Sequence, residues 1–168
     1  DPQFAGTVVN ALTVTGLSPH RLEVEVTESI FVRDATTARA TLEQIMALGC
    51  SVALDDFGTG YSSLGYLRTM RFSTIKIDRS FVQGAAKDSA ESLAIIRAVV
   101  AMADALDMST TAEGVETAAE AKLITSLGCK KIQGYYFGRP MEATEASALF
   151  RHPVQSRRSP PLGARSGG

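Results

Sequence analysis

Helix and strand alternate along this chain through a repeated Leu-Gly-Cys junction, and that alternation limits the fold more than any other feature. The stretches "ALGCSVALDDFG" at 47–58 and "SLGCKKIQGYYFG" at 126–138 each leave an amphipathic run and enter a strand-like one. Gly49 and Gly128 suit the position just past a helix C-terminus, where the backbone turns left-handed and a β-carbon is penalised. The two units share an organisation, not a duplicated sequence. Apolar periodicity predicts helices over 3–16, 35–49, 61–69, a long one from about 88, 116–128 and 141–151, with strands over 22–28, 50–56, 73–79, 109–116 and 129–138. Asp88 and Glu91 have capping-box spacing at the start of the long helix. Strands separated by helices run parallel with right-handed crossovers, which leaves an open doubly wound sheet or a barrel.

Side-chain parity chooses between them. One parity of each strand is apolar (Val24 and Val26, Val52 and Leu54, Ile75 and Ile77), while the other carries Glu25, Asp55, Lys76, Asp78, Glu113, Lys131 and Gln133. A strand covered by helices on both faces is apolar on both parities. Polar groups gathered near the C-terminal ends of successive strands are what a TIM-type barrel presents at its mouth. The fold class expected is therefore α/β, a TIM-type (β/α) barrel, incomplete, with about five of the barrel strands present. Residues 1–151 form this partial domain. The stretch "HPVQSRRSPPLGARSGG" at 152–168 has almost nothing apolar to bury and reads as a disordered tail.

Composition removes several classes. A net charge of −1 and a pI near 6.2 give no global attraction to DNA, RNA or anionic membranes, so phosphate recognition has to be local. No run approaches the length of a membrane span, and "DPQFAGTVVN" carries no secretion signal, which together point to a cytoplasmic protein. Cys50 and Cys129 lack metal spacing and suit a reducing compartment. With only His20 and His152 available, a zinc site built on imidazoles is disfavoured, and any metal should have oxygen ligands.

The strand-end acids then suggest a chemistry. An acid at a strand end often caps the next helix, and Asp56, Asp78 or Glu116 taken singly reads that way as readily as any other. Lys76 taken singly reads as a buried ion pair with Asp78 or another neighbouring acid. Five successive strands aiming Glu25, Asp55, Asp56, Lys76, Glu113 and Gln133 at one place is harder to obtain by accident. Such close carboxylates repel unless cations are present. Mg²⁺ or Mn²⁺ fits oxygen ligands, and a pair of such ions would activate water and clamp phosphoryl oxygens. "DFGTGYSS" reads as a lid over the site, with Gly58 and Gly60 supplying backbone freedom. Its Asp-Phe-Gly is not a kinase signature, because no Gly-rich loop, strand lysine or His-Arg-Asp precedes it. Nor is it a dinucleotide fingerprint, since the third glycine is missing and the acids would repel a pyrophosphate.

The motifs "LEVEVTES", "DDFGTGYSSL", "IKIDRSFV", "AEGVET" and "QGYYFGRP", in this order between Phe4 and Phe150, resemble the C-terminal two-thirds of an EAL domain, the bacterial cyclic di-GMP phosphodiesterase module. The resemblance implies a modified TIM barrel that hydrolyses cyclic di-GMP to linear pGpG with Mg²⁺ or Mn²⁺, two ions in the complete domain. It implies Glu25, Asp55 and Asp56 as metal ligands, with Asp55 bridging, and Glu113 and Lys76 as the catalytic pair, Lys76 near the attacking water. Glu28 corresponds to the glutamate that anchors the lid loop of Phe57, Gly58, Thr59 and Gly60, and Gln133 to a glutamine facing the substrate. Asp78, Glu116 and Arg139 fall inside the motifs and are expected to be structural.

No "EAL" tripeptide or asparagine strand precedes Phe4; the resemblance implies that those segments would supply a metal-binding glutamate, a metal-binding asparagine and a substrate-contacting arginine. The expectation is that these residues are a truncated domain whose partner is its own missing N-terminal part, and that alone they are inactive. The resemblance also allows a homodimer, an upstream diguanylate cyclase or sensor domain, and membrane tethering through upstream segments. The alternative reading is a non-catalytic cyclic di-GMP receptor.

Overall fold

A computed structural model of the protein describes residues 3–58 and 64–151. Thr59 and Gly60 of the expected lid, and the expected tail at 152–168, lie outside the described residues. The chain divides into two compact units, Asp1–Gly138 and Arg139–Gly168. The first holds, in chain order, α1 (Phe4–Thr15), a 3-10 turn (Pro19–Arg21), β1 (Glu23–Thr27), α2 (Ser29–Ala47), β2 (Ser51–Phe57), α3 (Leu64–Thr69), β3 (Thr74–Ile77), α4 (Arg79–Ala86), α5 (Ala90–Ala105), β4 (Ser109–Ala112), α6 (Ala118–Ser126) and β5 (Lys131–Ile132). The described part of the second has one helix, α7 (Ala143–Arg151).

The five strands form one parallel sheet in sequential order, β1-β2-β3-β4-β5, each joined to the next through a helical crossover. Val24 pairs Val52, Leu54 pairs Ile75, Ile75 pairs Thr110 and Thr111 pairs Lys131, so the strand C-termini fall together at one end. Among the described residues β1 and β5 are the sheet's edges, and the barrel is not closed. The core lies between sheet and helices, with Val52, Ile75 and Ile77 fully buried with Ile45, Val82, Ile96 and Ile124. No helix among the described residues is long and apolar enough to cross a membrane.

Both predicted C-terminal glycines do what their positions demand. Gly49 and Gly128 have φ of +94° and +96°, just past α2 and α6. Elsewhere local chemistry differs from expectation. The helix predicted from 35 is the second half of α2. Asp34 breaks the helix (φ −157°, ψ 85°), and its carboxylate accepts from the Thr37 N–H at 3.0 Å as an internal cap. The long helix expected from about 88 is α5, and an unexpected short helix, α4, precedes it. Ser89, not Asp88, caps α5: its hydroxyl accepts from the Ser92 N–H. The chain's capping box is at α6, where Thr117 and Glu120 bond each other's backbone N–H groups. The strand expected over 129–138 is confined to Lys131–Ile132, because the chain turns at Gly134, whose carbonyl accepts from the Phe137 N–H.

In the central strands β3 and β4 the polar parity is buried as well as the apolar one, whereas Glu25 of β1 and Lys131 of β5 are exposed. Lys76, Thr74 and Thr111 are each under a tenth exposed. A barrel interior is a packed layer, not a solvent channel, so its polar members need partners. Thr74 finds one at the opposite end from the acids, donating its hydroxyl to Glu23 Oε2 at 2.8 Å.

Candidate active site

Successive residues of a regular strand point to opposite faces, so Asp55 and Asp56 should not serve one site. A bulge in β2 removes the difficulty. Leu54 pairs Ile75 and Phe57 pairs Ile77, which sets three residues of β2 against two of β3 and leaves one extra. Asp56 takes up the extra residue in a left-handed conformation, φ +53°, which aspartate tolerates better than most side chains. Its N–H donates to Asp55 Oδ1 at 3.0 Å, locking the pair. As a result Asp55, Asp56 and Glu113 bring one carboxylate oxygen each to within 4.8 Å of one another.

Glu113 follows β4 directly, and its N–H donates to the Ile77 carbonyl at 3.0 Å, which fixes it across the end of β3. Lys76 projects from β3 into the middle of the acids. Its Nζ lies 2.6 Å from Glu25, 2.6 Å from Glu113 and 3.2 Å from Asp55. An ammonium has three donors, and the three carboxylates take them. Burial disfavours the charged lysine, but the hydrogen bonds it donates to Glu113, Glu25 and Asp55 outweigh it and hold the pKa above the usual lysine range. Asp56 moves the other way from a typical aspartate: burial, then the charges of Asp55 and Asp78, raise its pKa against the pull of Lys76.

The lid-side residues are also joined. The Gly58 N–H donates to Glu28 Oε1 at 3.4 Å, and Phe57 is buried. Gly58 has φ +92°, and a β-carbon there would approach the Phe81 ring to 3.2 Å. Gln133 follows β5, and its backbone clamps the neighbouring segment: its N–H donates to the Ala112 carbonyl at 2.8 Å and its carbonyl accepts from Val115 at 3.1 Å. With Glu113, Arg79 and Tyr135 it lines a shallow cavity of about 220 Å³ beside the acids.

Of the predicted residues, then, Asp55, Asp56 and Glu113 form one oxygen cluster, Glu25 joins it through Lys76, and Glu28 and Gln133 stand at its margins. Asp78 is a helix cap, accepting from the Ser80 N–H at 2.9 Å, and does not pair with Lys76. Glu116 is not a cap; it pairs with Arg79 at 2.6 Å. Arg79 lay inside a motif but drew no attention in the sequence, because its partners are brought to it only by the fold. The cluster suits a divalent cation on chemical grounds: its donors are all carboxylate oxygens and they converge, and Asp56, its pKa raised first by burial and then by the charge of Asp55, lacks a full compensating charge.

A family model described as EAL domain matches residues 1–140. MucR of Pseudomonas aeruginosa, a bifunctional diguanylate cyclase/cyclic di-GMP phosphodiesterase, is 47% identical over 141 residues, covering 84% of this chain and 20% of its own length. An uncharacterised protein of Sinorhizobium fredii, y4lL, is 48% identical over 149 residues, covering 89% of this chain and 18% of its own. The chain thus spans about a fifth of the length of these curated relatives. The solved MucR phosphodiesterase complex with cyclic di-GMP superposes with a TM-score of 0.80 at 45% identity, over 86% of this chain and 58% of that one. The manganese/cyclic di-GMP complex of Klebsiella pneumoniae BlrP1 gives 0.75 at 32% identity, over 83% of this chain and 36% of that one.

Proposed function

The chain belongs to the EAL domain family, and from that membership we propose that its domain hydrolyses cyclic di-GMP to linear pGpG with Mg²⁺ or Mn²⁺. The observation that carries the reading is the convergence of Asp55, Asp56 and Glu113, made possible by the β2 bulge. In the solved relatives the same fold is found with cyclic di-GMP, and in BlrP1 with manganese.

In this reading Asp55, Asp56 and Glu25 would hold the metal. Bound divalent cations would lower the pKa of water and offset charge on the phosphodiester oxygens. The carboxylate partners of Lys76 favour its protonated form, which orients them and supplies positive charge near the scissile phosphate. Glu113 takes a proton from the water. The water oxygen forms a bond to phosphorus, one ester P–O bond of the ring breaks, the leaving oxygen takes the proton that Glu113 accepted and ends as a hydroxyl, and the water's second proton passes from the new phosphate to solvent. Glu28 anchors the loop beginning Phe57-Gly58, and Gln133 faces the nucleotide.

Because the sheet is open between β1 and β5 among the described residues, we assign turnover to the domain completed by further strands, and none to the 168 residues alone. The test is Mn²⁺-dependent hydrolysis by this chain, by a version extended with preceding strands, and by the extended Asp55→Ala variant. The reading expects pGpG from the extended wild type only. Tight cyclic di-GMP binding by a folded extended protein without any product would replace it with the receptor reading.

A further inference from the structure

The segment carrying Glu113 is gripped from two sides, and neither grip touches the cluster itself. Gly114, next to Glu113, is left-handed at φ +66°, and a β-carbon on it would lie 2.3 Å from Arg79 Cγ and 2.6 Å from Arg79 Cβ. The aliphatic stem of Arg79 therefore fills the space over this one residue. Its guanidinium is tied at the far end: Nη2 lies 2.6 Å from Glu116 Oε1. With the Gln83 amide turned so that its oxygen faces the guanidinium, that oxygen accepts from Nε at 2.7 Å and Nη2 at 2.8 Å. Glu116 is held in turn, since its N–H donates to Glu120 Oε2 at 2.6 Å in the capping-box region of α6. On the other side, a β-carbon at Gly134 would come 2.1 Å from the Val115 carbonyl oxygen, so backbone meets backbone there.

An isolated surface ion pair contributes little, and Arg79 and Glu116 are half-exposed. This one differs because the same arginine stem is wedged against the residue that follows Glu113. We propose that Arg79, pinned by Glu116 and Gln83, is a positioning residue that sets the Glu113 carboxylate into the Asp55–Asp56 cluster. Outer partners that orient a ligating group typically change metal affinity or activity by about 10- to 100-fold when lost. The inference rests on the metal-dependent reading above.

The experiment uses the whole protein containing this domain and measures two quantities, the Mn²⁺ dissociation constant by calorimetric titration, and kcat and KM for cyclic di-GMP. Arg79→Ala is expected to weaken Mn²⁺ binding at least about 10-fold and to lower kcat more than it raises KM. Arg79→Met keeps the stem over Gly114 and should recover most of the metal affinity, which general loosening of the fold does not explain. Glu116→Gln, which keeps the stem and the Gln83 contact, should lose no more affinity than Arg79→Met. Unchanged Mn²⁺ affinity in Arg79→Ala, in a protein that binds Mn²⁺ and turns over, overturns the positioning role and leaves the phosphodiesterase reading intact. Mn²⁺ binding without product in the unaltered protein ends the phosphodiesterase reading, while the affinity series still decides the role of Arg79. An unaltered protein that binds no Mn²⁺ overturns both.

Discussion

Lys76 Nζ lies 2.6 Å from Glu113 Oε1, and this contact joins the end of β3 to the residue leaving β4 in a setting where the lysine side chain is only 6% exposed. The ammonium is the positive charge at the centre of three carboxylates, so removing it leaves like charges facing one another. Deleting one partner of a fully buried pair costs about 3–5 kcal/mol. Here the acids keep 21–48% of their exposure, which lets water compensate in part. Lys76→Met should therefore destabilise by about 1–3 kcal/mol, read from urea unfolding with an unchanged m-value, and should lower turnover at least about 100-fold.

The same contact predicts a pH dependence. Burial opposes the charge on Lys76, and the three acids override it, raising the folded-state pKa above the unfolded one. A group raised in this way contributes its full stability below the unfolded pKa, about 10.4, and loses it as pH climbs through the folded value. The stability difference between wild type and Lys76→Met should hold from neutral pH to about 10 and shrink beyond it. A difference that shrinks instead between about pH 5 and 8 assigns the effect to some other group.

Asp78 tests the distinction between a cap and a site acid. Burial works against its charge, but the Ser80 hydroxyl and N–H outweigh burial and lower its pKa. Its contribution is therefore present above the unfolded aspartate pKa of about 3.9 and lost as pH falls through the lower folded value. Asp78→Ala should cost about 0.5–2 kcal/mol at neutral pH, and Asp78→Asn much less, since asparagine caps as well as aspartate. If Asp78→Asn removes Mn²⁺ binding with the fold intact, the capping role is not the whole account.

These contrasts mark what was legible in the sequence. The alternation of strand parities and the Gly49 and Gly128 stops were readable because they depend on local periodicity and on φ, and they led to a parallel sheet with acids at one end. The short α4 was missed because eight residues with Gly84 inside them look like a loop. The fold needs that glycine, since a β-carbon there would lie 2.2 Å from Ser92 Oγ across the α4–α5 contact. The adjacency of Asp55 and Asp56 was readable but its explanation was not, because a bulge is a property of two paired strands. Arg79 was invisible for a related reason: its meaning lies in Gly114 and Glu116, more than thirty residues away.

Gly134→Ala probes the second grip on the Glu113 segment. The added methyl would lie 2.1 Å from the Val115 oxygen and 2.4 Å from its nitrogen, both backbone atoms that cannot swing aside. Overpacking of this kind costs about 1–3 kcal/mol, and more where only backbone can move. The variant should be destabilised by at least about 2 kcal/mol and should lose turnover further than its stability loss explains. The reason is that Gln133 and Glu113 are coupled through the bonds to Val115 and Ala112. Wild-type stability in thermal unfolding would show that the strand end relaxes freely.

The cluster finally predicts how stability responds to cations. Three carboxylates within 4.8 Å of one another repel, and Lys76 offsets only part of that charge. An ion that binds this arrangement and not the unfolded chain stabilises it by RT ln(1 + [L]/Kd), about 2.7 kcal/mol at a hundredfold excess over Kd. Mn²⁺ should accordingly raise the unfolding free energy by an amount that grows with the logarithm of its concentration. Asp55→Asn should abolish most of the rise, because Asp55 supplies an oxygen to the cluster and also accepts the Asp56 N–H that shapes the bulge. General screening gives a different pattern. Salt acts on exposed charges over a Debye length of about 8–10 Å near physiological strength, and does so in wild type and Asp55→Asn alike. Sodium chloride at matched ionic strength should therefore give a small, variant-independent change. If it reproduces the Mn²⁺ effect, the acids are a screened patch and not a metal centre.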